Sequence, residues 1–244
     1  MRYGIISDIH GNREALEASL AVLYSAGVDR IACLGDVVGY GAEPDECCDI
    51  VRAHADLAVV GNHDAAAVGR FGFEHANSLA QKALRYTMER LSEPNVAWLK
   101  ELPYIIKEDD ACFCHGAPVS VETFEYIFSL DKAAFLNEIF DELQLVTFVG
   151  HSHLTTAYLV TERMTLQLDQ APCFRIREGV KYVFNVGSVG QPRDHDKRSC
   201  CVLWDSTERT VTYLRVPYDI DAAANKIVRA ALPKAFSDRL YHGI

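Results

Sequence analysis

MRYGIISDIHGN, residues 1–12, decides the architecture. Arg2–Ser7 is a short apolar run and predicts a β-strand. Past its end come Asp8 and His10. Asn12 then stands where a helix cap belongs, ahead of an apolar stripe of Leu16, Leu20 and Leu23, with Gly27 after the helix end. The same alternation follows: a strand at Arg30–Leu34, a helix opening on Pro44 with Asp45 and Glu46 in its first turn, and a strand at Leu57–Val60. This first half is βαβαβ-like and fixes an α/β class.

Further strands are predicted at Ala111–Cys114, Val146–Val149, Tyr182–Val186, Cys200–Trp204 and Val211–Val216, so the second half is richer in strand. Helices are predicted over Glu74–Leu91, from a cap at Asp131 through Phe135, Leu136, Ile139, Phe140 and Leu143, and over Asp221–Leu232, stopping at Pro233. Repeats, low-complexity tracts and linkers are absent from the sequence. The expectation is one domain, residues 1–244, holding two sheets.

With 49% apolar and 24% charged residues, the chain has a globular rather than a disordered composition. No stretch is long and apolar enough to span a bilayer, and MRYGIISDIH lacks the three regions of a signal peptide, which predicts a cytoplasmic protein without membrane partners. The net charge of −10 and the lack of basic clusters beyond Arg193, Lys197 and Arg198 argue against stable nucleic-acid binding. A phosphorylated substrate remains compatible with this charge if carboxylates gather around cations and make the local field positive. Of the eight cysteines, two pairs are adjacent in sequence, and Cys112 and Cys114 lie in an apolar run; reduced core thiols are expected.

The residues with chemistry stand just past the strands. Asp8 and His10 follow the first, Gly35-Asp36 the second, and Gly61-Asn62-His63-Asp64 the third. His115-Gly116 and Gly150-His151-Ser152-His153 follow two more. Carboxyl ends of strands are where open α/β sheets collect ligands. Five of the nine histidines fall in this set. Asp8 with His10, and His151 with His153, are two residues apart, which on extended backbone points each pair toward one cation. The oxygen and nitrogen donors Asp8, His10, Asp36, Asn62, His115, His151 and His153 contain no thiolate and suit Mn, Fe, Co, Ni or Zn. Seven are too many for one such ion and suit two, with one carboxylate bridging.

In that order the motifs DxH, GD, GNHD, H and GHxH resemble the calcineurin-like metallophosphoesterase superfamily. The glycine-rich NVGSVGQPRD (185–194), GDVVGYG (35–41) and the tail AALP (230–233) with Arg239-Leu240 are similar to its small bacterial and archaeal branch. The resemblance implies a four-layer αββα sandwich with two mixed β-sheets and a dinuclear-metal-dependent phosphodiesterase or phosphomonoesterase. It implies one divalent transition-metal ion held by Asp8, His10, Asp36 and His153, and a second by Asp36, Asn62, His115 and His151. His63 would act as general acid or phosphate contact, oriented through a hydrogen bond to Asp64, whose charge would raise the histidine's pKa.

Substrate contacts are less determined by sequence. Asn12 and Tyr40 stand beside the motifs as substrate contacts, or as a helix cap and core packing respectively. Arg193 and His195, after the glycine-rich loop, are further candidate substrate contacts; Arg193 would hold a second phosphate or a carboxylate, or else pair with Asp194 or Asp196. Ser188 would donate to phosphate or, as the stronger reading, hold a structural turn. His75 and Asn77 would sit on a lid or at a helix start, and Phe124–Phe128 is an aromatic run of core or pocket wall. Two alternatives to a general phosphoesterase accompany the resemblance. One is a nucleotide or dinucleoside polyphosphate hydrolase, or a protein phosphatase; the lack of arginines beside Asp36 and Asn62 counts against the protein phosphatase. The other is a metal-binding scaffold like the retromer subunit of this fold, against which the presence of His63 counts.

Overall fold

Ile5 and Ile6 are neighbours in the first strand and both are buried, so that strand is covered on both faces. In the computed structural model, which describes residues 1–73 and 78–244, this is the organising fact. The chain runs β1 (Arg2–Ile6), α1 (Arg13–Ser25), β2 (Arg30–Cys33), α2 (Pro44–His54), β3 (Leu57–Ala58) and α3 (Asn62–Ala67). It continues through α4 (Ser78–Met88), α5 (Glu93–Glu101), β4 (Ile105–Glu108), β5 (Ala111–Cys114), the single turn α6 (Leu130–Ala133) and β6 (Val146–Val149). The remainder is β7 (Thr155–Val160), β8 (Thr165–Gln167), β9 (Cys173–Arg175), β10 (Lys181–Val186), β11 (Ser199–Asp205), β12 (Thr210–Val216), α7 (Ile220–Arg229) and α8 (Lys234–His242).

Two six-stranded mixed sheets form, in the orders β3-β2-β1-β11-β12-β9 and β4-β5-β6-β10-β7-β8. Strands β1, β2 and β3 run parallel, as do β5, β6 and β10. Alternation along each strand makes the layers. Ile5, Val202 and Trp204 from one sheet meet Phe113, Phe148 and Phe184 from the other in the central core. On the reverse of the first sheet, Ile6, Ile31, Cys33 and Cys201 pack under Leu16 and Leu20 of α1 and Cys47 and Val51 of α2. On the reverse of the second, Cys112, Cys114, Val149 and Val183 pack under Ala133, Leu136 and Leu143. The fold is therefore the four-layer αββα sandwich. Each buried Phe or Leu contributes roughly 1.5–3 kcal/mol.

Several expected elements differ. The helix expected from Asp131 is broken: α6 spans one turn, its cap is Ser129, whose hydroxyl accepts from Lys132 N–H, and short 3-10 turns follow at Ala134–Asn137 and Phe140–Glu142. Its apolar residues still cover the second sheet, so burial was read correctly and the period was not. β3 is shorter than 57–60, because Val60 N–H turns away to donate to Pro103 O. Of the helix expected over Glu74–Leu91, Ser78–Met88 is helical; residues 74–77, with His75 and Asn77, lie outside the described residues. The helix expected over Asp221–Leu232 is α7, which ends at Arg229, short of Pro233. Pro233 stands at the N-cap of a further helix, α8, a position that suits a residue without an N–H to satisfy.

All eight cysteines are free thiols, and every one but Cys173 is buried. Among the described residues, no helix is long and apolar enough to cross a membrane.

Candidate metal centre

The loops after β1, β2, β5 and β6 and the start of α3 meet at one edge of the sandwich. Backbone hydrogen bonds fix the approach: Asp8 N–H donates to Gly35 O at 3.0 Å, His10 N–H to Asp36 O at 2.9 Å, and Gly150 N–H to His115 O at 2.9 Å. Asp8, His10, Asp36, His151 and His153 all have φ between 50° and 65°. Asp and His tolerate this left-handed region better than bulkier residues, and such outliers gather at functional sites. The expected extended geometry is thereby corrected. His151 and His153 do not aim at one point but fall into different groups.

Those groups are Asp8 with His10 and His153, His10 with Asp36 and His63, and Asp36 with His115 and His151. Within each, the candidate ligand atoms lie within 4.8 Å of one another, and all these residues are buried. Asp36 belongs to two groups. Asn62 joins the last, its Oδ1 standing 3.2 Å from His115 Nε2.

Each carboxylate has one oxygen fixed and one presented. Asp8 Oδ2 accepts from Ser7 Oγ at 2.7 Å and from His151 N–H at 3.0 Å. Its Oδ1 has no hydrogen-bond partner among the described residues and faces His153 Nε2 at 3.2 Å. Asp36 Oδ1 accepts from His63 N–H at 2.8 Å, while Oδ2 faces His115 Nε2 at 3.3 Å and His10 Nε2 at 3.6 Å. The imidazoles are arranged likewise. Nδ1 of His10, His115 and His153 donates to the carbonyls of Val38, Leu34 and Gln191 at 3.0, 2.8 and 2.6 Å. This sets the tautomer and leaves each Nε2 lone pair facing inward. His10 Nε2 and His153 Nε2 stand 3.1 Å apart. Two inward lone pairs at that distance repel unless a cation or proton lies between them. The donor set and the orphaned Asp8 oxygen thus fit metal ions.

Electrostatics point the same way. Burial pulls the Asp36 carboxyl upward, but the imidazoles around it, His115 first, hold it well below the usual carboxylate range. Asp8 is likewise net lowered: burial opposes and His153 outweighs it. Burial pushes His10 well down, and burial with His115 pushes His151 down to about 3. His115 goes the other way. Burial lowers it, yet Asp36 raises it to about 9, so a proton occupies its Nε2 when no cation does.

A sign follows. The cation-free protein gains stability from protonated His115 below its ordinary pKa of 6.5 and loses it as pH rises through about 9. A metal ion must displace that proton, so affinity strengthens over the same window. Thermal melts of stripped protein at pH 6.5 and 9, paired with metal titrations, check this; affinity independent of pH would contradict it.

The His63–Asp64 expectation is corrected. Asp64 Oδ1 accepts from Val38 N–H and Oδ2 from Gly61 N–H, both at 3.1 Å, so the carboxylate ties α3 to the loop after β2. Burial, then Asp36, raises the Asp64 carboxyl to about 7. His63 Nδ1 has no hydrogen-bond partner among the described residues. Burial, reinforced by His153 and His115 against Asp36, lowers His63 to about 4 rather than raising it. The ring is held by packing instead, against Tyr40, His10 and Phe73 with centroids 4.6, 4.9 and 5.2 Å away.

Of the further candidates, Asn12 is occupied structurally: Oδ1 caps α1 at Ala15 N–H (3.2 Å) and Nδ2 donates to Gly190 O (2.8 Å). Tyr40 borders the clusters, with its ring 4.6 Å from that of His10. Arg193 N–H donates to His153 O at 3.2 Å and its guanidinium lies 5.7 Å from the Tyr40 ring. The expected ion pair of Arg193 with Asp194 or Asp196 does not form, because Arg215 takes the first and Arg198 the second. His195 is exposed and outside the clusters. Ser188 is a buried turn residue whose hydroxyl donates to Asp8 O at 2.8 Å. The sequence reading missed Tyr126, whose ring stacks on His151 at 3.7 Å, and the clamp carbonyl of Gln191. Tyr126 lay in the aromatic run left between core and pocket wall, and its contact supports the wall.

One glycine is indispensable to this geometry. Gly35 has φ +90°, and a Cβ there would collide with the backbone of Gly61, which leads into α3. Gly35→Ala is expected to destabilise by about 2–5 kcal/mol. Urea unfolding measures this, and a loss under 1 kcal/mol would mean the loops are not so tightly joined.

Comparison with known proteins places the chain in a class. The family model for the calcineurin-like phosphoesterase superfamily domain matches residues 1–208, and the chain belongs to that family. It is a metal-dependent phosphoesterase. It is 37% identical over 243 residues to the uncharacterized protein MJ0912 of Methanocaldococcus jannaschii, covering 98% of this chain and 97% of that one. A metallophosphoesterase from Sphaerobacter thermophilus superposes with a TM-score of 0.85 at 34% identity, over 100% of this chain and 99% of that one. The hypothetical protein PH1004 from Pyrococcus horikoshii shares the fold, with a TM-score of 0.78 at 18% identity over 100% of this chain and 98% of the other.

Proposed function

We propose that the protein hydrolyses phosphoric esters with two divalent transition-metal ions, Mn, Fe, Ni, Co or Zn. One would be held by Asp8, His10, Asp36 and His153, the other by Asp36, Asn62, His115 and His151. The observation that carries this reading is the buried Asp36 carboxylate, whose Oδ2 stands 3.6 Å from His10 Nε2 and 3.3 Å from His115 Nε2, one histidine of each set. Such ions, when bound, supply Lewis acidity toward phosphoryl oxygens and lower the pKa of water.

The chain's own residues do the rest. Backbone carbonyls hold His10, His115 and His153 in the tautomer that leaves Nε2 free to coordinate. Ser7 Oγ and the His151 amide orient Asp8, and His153 holds it ionised against the cost of burial. His63 stands beside Asp36 as a neutral imidazole. A phosphoryl dianion arriving at the clusters raises its proton affinity, which suits it to carry a proton to the leaving oxygen. Asp64 acts on His63 only by fixing the helix that carries it.

Metal titration of stripped protein by calorimetry tests the reading. Two ions per chain are expected. A single ion, or binding undisturbed by loss of Asp36, would contradict it.

A further inference from the structure

Two arginines beside the clusters have no acidic partner among the described residues. Arg193 follows the glycine-rich loop after β10, and its amide is bonded to the carbonyl of His153. Its guanidinium donates to Gln191 Oε1 at 3.0 Å, but Nε is buried without a partner. Arg239 belongs to α8, and no ion pair or hydrogen bond engages its side chain among the described residues.

The fold brings the two together. His195 N–H donates to Gly243 O at 2.9 Å, fastening the end of α8 to the Arg193 loop. Phe236, one turn before Arg239, packs on Tyr40 at 5.0 Å between ring centroids, and the Arg193 guanidinium lies 5.7 Å from that same ring. Burial first, and the Arg193 charge second, push the Arg239 guanidinium below its ordinary value.

Nearby carboxylates are spent elsewhere. Asp194 is paired with Arg215, Asp196 with Arg198 at 2.6 Å, and Asp238 with Lys234 at 2.6 Å. Two partly buried cations, one 5.7 Å from the Tyr40 ring and the other on the helix that packs on that ring through Phe236, repel each other without a counter-charge unless an anion joins them.

We propose that Arg193, beside Tyr40, and Arg239, on the helix packed against Tyr40, form an anion subsite beside the metal groups, and that the substrate is a phosphoester carrying a second anionic group, phosphate or carboxylate. This rests on the phosphoesterase reading above. The scissile phosphoryl group occupies the clusters and the second anion spans the guanidinium forks, whose planar donors match either oxyanion. Esters with one anionic group leave the arginines unpaired and bind less tightly.

Calorimetry on Mn²⁺-loaded protein, at fixed free Mn²⁺, tests this with three ligands that cannot be hydrolysed. Methylphosphonate carries one anionic group; phosphonoacetate and methylenediphosphonate carry two. At least one of the latter pair is expected to bind about 10-fold or more tighter than methylphosphonate, the gain of one good charge-assisted contact. Whichever does so identifies carboxylate or phosphate as the second group. Arg193→Gln and Arg239→Gln should each remove most of that preference, Arg239→Lys should retain part, and Lys234→Gln on the same helix should retain all. Equal affinity for the three ligands, or a preference that survives both glutamine variants, would overturn the subsite. Ligand preference in a protein that cleaves no ester would instead remove the phosphoesterase reading and leave the arginine pair standing.

Discussion

Asp36→Asn is expected to fold and to lose metal-restored hydrolysis by at least about 10³-fold, more than the removal of a single orienting group costs. The carboxylate oxygen Oδ2 faces a histidine of each proposed set, His10 and His115, so one substitution weakens both. Asparagine keeps the shape and one oxygen that can accept from His63 N–H, so the loop after β2 keeps its anchor. What disappears is the charge. That change has a second readout. Asp36 is the main group raising His115 to about 9, so in the variant His115 returns toward the lower value that burial favours. The pH-dependent loss of stability between about 6.5 and 9 in cation-free protein should then flatten. A variant that binds two ions normally, or keeps the wild-type pH dependence, would show that Asp36 is not the shared ligand.

His63→Ala should behave differently: metal content unchanged and turnover reduced by about 10²–10⁴, the range of a lost general acid. His63 is not among the residues assigned to either ion, and its backbone N–H to Asp36 survives the substitution. Its ring packs on His10 and Tyr40, so truncation also leaves a cavity beside the clusters. His63→Gln, which fills more of that space, separates the two effects. Loss in both variants points to the proton, and recovery with glutamine points to packing. Full activity in the alanine variant would remove His63 from the chemistry.

The strand ends were legible because apolar runs of four or five residues stop abruptly at Asp, Asn or His. All eight strands expected from sequence are present, within one or two residues at their ends. β4, β7, β8 and β9 were not read, although β7 pairs along its full length with β10. β8 and β9 are three-residue strands at or near sheet edges, partly exposed, and carry too few residues for a period. The αββα layers came with the family resemblance; alternation of Ile5 with Ile6 and of Cys112 with Phe113 explains them physically.

At the site, residue identities were legible and their directions were not. Spacing by two suggested that His151 and His153 aim together, but left-handed backbone at both sends them to different groups. Asp64 beside His63 in sequence suggested a hydrogen bond. A residue in the first turn of a helix instead turns back to the helix's own N-terminus, and Asp64 does so at Gly61. Arg239 could not be placed from sequence, because its position depends on α8 folding back from the far end of the chain onto the Arg193 loop.

The central claim is metal-dependent ester hydrolysis at these clusters. The most direct measurement is the rate of bis-p-nitrophenyl phosphate and p-nitrophenyl phosphate hydrolysis by metal-stripped protein, before and during titration with Mn²⁺. No cleavage without metal, with activity rising until two equivalents are bound and absent from Asp36→Asn, is the predicted result. Cleavage by stripped protein, or two bound ions with neither ester cleaved, would contradict the account.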